Sequence, residues 1–125
     1  MILDTNALSA FFEGDPKLEP ALAHVRVLHL PVIVLGEYRF GLLRSKRRRP
    51  IETALERLQA AANVLAIDDG TVRPYAEIRD RLKRAGTPIP SNDVWIAALA
   101  VQHALPIMSR DAHFDRILGV TRASW

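Results

Sequence analysis

The stretches of this chain that look like strands are short and mostly apolar, and they do not alternate with polar residues. Met1–Asp4, Val25–Leu30, Val64–Ile67 and Pro106–Ser109 are the candidates, with Val120–Arg122 as a fifth. A strand of this kind is covered on both faces. Longer segments with helical spacing lie between them. In the clearest, Ile51, Leu55, Leu58 and Ala62 recur at intervals of three and four. Strands alternating with helices predict an α/β fold: a central, mostly parallel sheet flanked by helices on both faces.

The helical segments are predicted at residues 5–12, 16–24, 32–46, 51–62, 71–85 and 93–104. Gly14 and Gly86 mark two helix ends, and Pro31 lies near the first turn of the third helix. Asp68-Asp69-Gly70 breaks the strand before the fifth helix. In that helix, Glu77–Arg81 and Asp80–Arg84 have the i,i+4 order of an exposed face. With 125 residues, 49% of them hydrophobic and 25% charged, one domain over residues 1–125 is expected. The chain has no repeat and no low-complexity segment.

Ligands of such sheets bind beyond the carboxyl ends of the strands. Asp4 follows Met1-Ile2-Leu3, and Asp111 follows Ile107-Met108-Ser109-Arg110, so both acids belong to that edge. Only three residues precede Asp4, so this first segment must be fastened for a site to form there. Asp93 opens an apolar helix. Each of these three acids has a plain structural role available, because Asp is a favoured helix cap and suits a first turn. Glu37 has no such role. It lies within a helix and shares a face with Ile33, Val34, Phe40 and Gly41. A carboxylate near the core must be protonated, paired with a cation or bound to a metal.

Taken together, Asp4, Glu37, Asp93 and Asp111 suggest one acidic pocket. Hard carboxylate oxygens suit Mg²⁺ or Mn²⁺. There is no cysteine, and the histidines are scattered at 24, 29, 103 and 113, which argues against zinc. Thr5, Asn6 and Ser109 are short hydrogen-bonding residues beside the acids. They suit either the orienting of carboxylates or ordinary turns. Asp115 and His113 lie close by in sequence; Asp115 is expected to face solvent, and His113 to cover the pocket.

The net charge is +3 and the pI about 9.8, although the pocket is acidic. A basic surface attracts a polyanion that the pocket alone would repel. Arg44, Lys46, Arg47, Arg48 and Arg49, with Arg39 upstream, form the densest cationic run, and no acid occurs in residues 38–51. The run is a phosphate-binding patch, a solvated loop or a docking surface for an acidic partner. The absence of cysteine is compatible with a reducing, cytoplasmic setting. No apolar run reaches about 18 residues, so no membrane span is expected.

Four stretches together resemble a known family. They are Asp4-Thr5-Asn6, Glu37 in its helix, Asn92-Asp93-x-x-Ile96-Ala97-Ala98 and Ser109-Arg110-Asp111-x-x-Phe114. The chain resembles the PIN-domain ribonucleases from about residue 1 to 118, and within them the VapC-type toxins of prokaryotic toxin–antitoxin systems. That resemblance implies a PIN-like fold and Mg²⁺- or Mn²⁺-dependent hydrolysis of RNA phosphodiester bonds. It carries the roles of metal ligand and catalytic residue to Asp4, Glu37, Asp93 and Asp111. It further implies a cognate antitoxin partner and a homodimer. Ser109 stands where the family usually has Thr, which keeps the hydroxyl. Two rivals remain at this point. A non-catalytic RNA-binding or scaffold protein of the same fold has no need for four clustered acids. An aspartyl-phosphate enzyme wants a second Asp where this chain has Asn6.

Overall fold

Five short parallel strands form one sheet in the order β3-β2-β1-β4-β5. They are β1 (Ile2–Leu3), β2 (His29–Pro31), β3 (Asn63–Leu65), β4 (Ile107–Met108) and β5 (Arg122–Ala123) in a computed structural model of residues 1–125. The helices are α1 (Thr5–Glu13), α2 (Leu18–Leu22), α3 (Val32–Leu42), α4 (Arg48–Ala61), α5 (Asp69–Arg84) and α6 (Ser91–His103). The chain moves outward from β1 to β2 to β3, then crosses back over β1 to β4. Right-handed crossovers in opposite directions place helices on both faces of the sheet.

The strands are buried because both faces are covered. Ile2, Leu3, Leu30, Ile107 and Met108 have almost no accessible surface, and neither do Ile96–Ala100 of α6. The α6 run is apolar all round because it packs against both α5 and α3. The first strand is fastened on both sides. The Ile2 amide donates to the Pro106 carbonyl at 2.8 Å, and the His29 amide donates to the Met1 carbonyl at 2.9 Å. No helix is long and apolar enough to cross a membrane.

Several predicted boundaries shift. Residues 25–28 are not strand, since β2 begins only at His29, where pairing with β1 and β3 begins. The third helix ends at Leu42 rather than continuing to Lys46, and Arg48 and Arg49 belong to α4. The second helix is reduced to five residues. The third strand runs Asn63–Leu65 rather than Val64–Ile67, so it ends before Asp68, whose carboxylate instead accepts from the Gly70 amide and caps α5, and the helix starts two residues early. Of the two predicted surface pairs on α5, only Asp80–Arg84 forms, at 3.1 Å.

Candidate active site

The strand order changes direction between β1 and β4, because β1 leads outward to β2 while β4 leads the other way to β5. A crevice opens beyond the carboxyl ends of two strands whose connections diverge. Asp4 and Ser109 follow β1 and β4 at this point, in neighbouring register, with the Asp4 amide donating to the Met108 carbonyl at 3.3 Å. A recess of about 450 Å³ lies there. Asp4, Glu37, Asp93 and Asp111 line it with Thr5 and Asn6. The four acids are thus brought together from β1, α3, α6 and the loop after β4.

Asp4 is both a cap and a wall of the pocket. Its backbone is extended (φ −78°, ψ 178°), and its carboxylate accepts the Ala7 amide at 2.7 Å, which starts α1. Only 3% of it is exposed. Burial raises its pKa, against hydrogen bonds from Ser109, Ala7 and Asn6, while the Asp111 charge pushes the same way as burial. Asp93 does not cap α6, since Pro90 occupies that position. Its carboxyl is pushed up to about 6, chiefly by burial. His113 opposes this shift, and Asp111, Glu37 and Asp4 reinforce it.

Glu37 has no arginine partner. Thr5 Oγ1 donates to one of its oxygens at 3.1 Å and Asn92 Nδ2 to the other at 2.7 Å. The carboxylate is half-buried and oriented from two separate helices. The helical face predicted for it is only partly apolar: Val34 is buried, but Phe40 is 71% exposed. Asn6 Nδ2 donates to Asp111 at 3.3 Å, and the Asp111 amide donates to Ser109 Oγ at 2.9 Å. Thr5, Asn6 and Ser109 therefore all touch the acid set. Asn92 does the same work and was visible only as part of the Asn-Asp stretch.

His113 stands against the pocket. Its Nε2 lies 3.3 Å from an Asp93 oxygen, but the approach is not aligned for a hydrogen bond, so this buried nitrogen has no partner. Donor atoms of Asp93, Asp111 and His113 all lie within 4.8 Å of one another. Asp115 points away and is gripped by both arms of the Arg122 guanidinium at 2.7 and 2.8 Å. The same guanidinium donates to the Ser109 carbonyl at 3.0 Å. Arg122 thus clamps both ends of the loop that carries Asp111, a role its place in the sequence does not reveal.

A set of four carboxylates with an unpartnered imidazole nitrogen fits a divalent cation. Asp93, Asp111 and His113 are the three whose donor atoms lie close enough to share one ion, with Asp4 and Glu37 in the same recess; the Asp93 carboxyl, raised chiefly by burial and further by the neighbouring acids, is eased by positive charge.

The basic run is divided by the fold. Arg44, Lys46, Arg47, Arg48 and Arg49 are all exposed, but Arg48 is paired with Glu52 at 2.8 Å. Arg39 donates to Gln59. Arg47 alone of the five lines a groove that also includes Thr5 and Glu37.

A family model described as PIN domain matches residues 1–119. The chain is 33% identical to Ribonuclease VapC5 of Mycobacterium tuberculosis, over 94% of this chain and 87% of that protein. It is 32% identical to Toxin FitB of Neisseria gonorrhoeae, over 89% of this chain and 87% of that protein. Among solved structures, VapBC-1 from nontypeable Haemophilus influenzae superposes with a TM-score of 0.87 at 26% identity. That match covers 99% of this chain and 96% of the other.

Proposed function

Since this chain belongs to the PIN-domain family, we propose that it is a metal-dependent endoribonuclease acting in the cytoplasm as the toxin of a toxin–antitoxin pair. The observation that carries this reading is the convergence of Asp4, Glu37, Asp93 and Asp111 on one recess at the β1/β4 crevice. The names of its relatives, a ribonuclease and a toxin, support it. A cognate antitoxin and a second copy of the chain are its expected partners.

Asp4, Glu37, Asp93 and Asp111 would hold Mg²⁺ or Mn²⁺. When bound, such an ion supplies Lewis acidity that offsets phosphate charge and lowers the pKa of water. The chain's own part is to arrange the carboxylates in advance. The Ala7 amide fixes Asp4, Thr5 and Asn92 fix Glu37, and Asn6 fixes Asp111, so little reorganisation remains when the substrate arrives. The nucleophile is water, and a P–O bond of the RNA backbone is broken by hydrolysis.

The rival phosphoaspartate chemistry fits poorly, because the second acid it wants is Asn6, whose amide is committed to Asp111. A non-catalytic RNA-binding scaffold would gain nothing from four carboxylates that repel one another.

Two measurements test the metal reading. Mn²⁺ at about 100 times its dissociation constant should stabilise the fold by about 2.7 kcal/mol in thermal melts. Glu37→Gln should shrink that gain. Equal gains in both proteins would remove Glu37 from the metal site. Asn92→Ala takes away the shorter of the two hydrogen bonds that orient Glu37. It should weaken Mn²⁺ binding by about 10–100-fold in calorimetry, the usual cost of losing a partner that orients a ligand. Unchanged Mn²⁺ affinity would show that Glu37 needs no orienting by Asn92.

A further inference from the structure

Resting on the metal reading above, we propose that Trp125, Arg110 and Asp15 form a brace that fixes the place of Asp111 and thereby sets metal affinity. None of the three lines the acidic pocket. They are positioning residues, and they act through the neighbour that does line it.

Asp111 lies between β4 and the single 3-10 turn Ala112–Arg116. Its carboxylate accepts from Asn6 Nδ2 at a long 3.3 Å. A carboxylate held so loosely depends on its own backbone for its place. Ser109 fixes that backbone from within. Its amide donates to the Ala123 carbonyl at 2.9 Å, and its hydroxyl accepts the Asp111 amide at 2.9 Å. Arg110, between the two, is fixed from outside.

The Arg110 guanidinium donates to Asp15 Oδ2 at 2.8 Å and lies over the Trp125 ring, 4.4 Å from its centroid. The Trp125 indole N–H donates to the same Asp15 oxygen at 3.0 Å. Each of the three side chains therefore touches the other two. The second Asp15 oxygen accepts the Lys17 amide at 2.9 Å. Gly14 turns the chain at φ +70°, and the Asp15 amide donates to the Ala10 carbonyl at 3.0 Å, which closes α1. Asp15 is thus a fixed post at the end of the helix whose first turn carries Asn6. Helix α1 holds the loop at two points, Asn6 on Asp111 and Asp15 on Arg110.

An exposed ion pair contributes little to stability. The Arg110 side chain is 50% exposed, so this contact is poorly suited to holding the fold together. It is well suited to orientation. A flat guanidinium stacked on an indole and bonded to a fixed carboxylate keeps little freedom. Its backbone, next to Asp111, is restrained with it.

The test is Mn²⁺ binding by calorimetry on the whole chain, beside thermal melts of the same proteins. Arg110→Gln should weaken Mn²⁺ binding about 10-fold, the lower end of what losing an orienting partner costs, with little change in melting temperature. Trp125→Ala should weaken it as much and also melt lower, because the indole packs against the core. Trp125→Phe keeps a ring under Arg110 without the N–H, and should lie between the parent and Trp125→Ala. The double variant Arg110→Gln, Trp125→Ala should bind no more weakly than either single one, since both act through one contact. Arg84→Gln breaks the exposed pair with Asp80 on α5, away from the pocket lining, and should bind Mn²⁺ as the parent does.

Parent-like affinity in Arg110→Gln would overturn the brace and leave the metal reading standing. Losses that multiply to about 100-fold in the double variant would do the same, because the two residues would then act separately. So would a loss in Arg84→Gln equal to that in Arg110→Gln. An unsubstituted chain that binds no Mn²⁺ would overturn both the brace and the metal reading.

Discussion

Asp93→Asn should lower RNA cleavage in Mg²⁺ or Mn²⁺ by at least about 100-fold while leaving the fold intact. The side chain keeps its shape but loses a charge from the acid set, and charge stabilisation of a phosphoryl transition state is worth several kcal/mol. The same substitution should stabilise the protein when no divalent ion is present. The Asp93 carboxyl titrates near 6 in the folded chain against about 4 when free, so the folded state holds its proton more readily than the unfolded state. Its contribution is fully present below about pH 4 and is lost as pH rises through 6. At pH 7 the charged, half-buried carboxylate therefore costs on the order of 1–3 kcal/mol, which asparagine removes. Denaturant midpoints at pH 4 and pH 7, with chelator present, should show the variant gaining on the parent only at the higher pH. Cleavage at the parent rate would remove Asp93 from the chemistry. A gain equal at both pH values would show that its carboxyl is not under strain.

The second large effect is expected at Phe114, three residues after Asp111. This ring has no accessible surface and packs edge-on against His113 at 4.7 Å. Phe114→Ala should cost about 3–5 kcal/mol through lost burial and the void left behind. It should also loosen the loop from Ser109 to Asp115, whose outer ends Arg122 holds from the other side. Activity should therefore fall further than the folded fraction does, because Asp111 and His113 lose the ring that supports them. Chemical denaturation gives the first quantity, and cleavage rates below the onset of unfolding give the second. Phe114→Leu, which refills most of the space, should recover most of both. A Phe114→Ala chain within about 1 kcal/mol of the parent would mean that the loop collapses onto the void and does not need the ring.

The alternation of apolar runs and helical segments was enough to predict a parallel α/β sheet, because burial on both faces leaves its mark residue by residue. The helix ends at Gly14 and Gly86 were legible too, for a local reason. Both have positive φ, where a glycine carries no penalty. The acids were legible by elimination, since Glu37 sits inside a helix where no cap is needed. What stayed hidden depends on pairing between distant segments. The start of β2 at His29 is set by its neighbours β1 and β3 and not by its own composition. Arg47 was one cation among five until the groove beside Glu37 singled it out. Arg122 reaches the loop that carries Asp111 only because β4 and β5 lie side by side. Local chemistry, read from neighbouring residues, determined the elements and nominated the acids. Only the strand order, which turns on long-range packing, brought those acids to one recess and set Arg122 against the loop that carries Asp111.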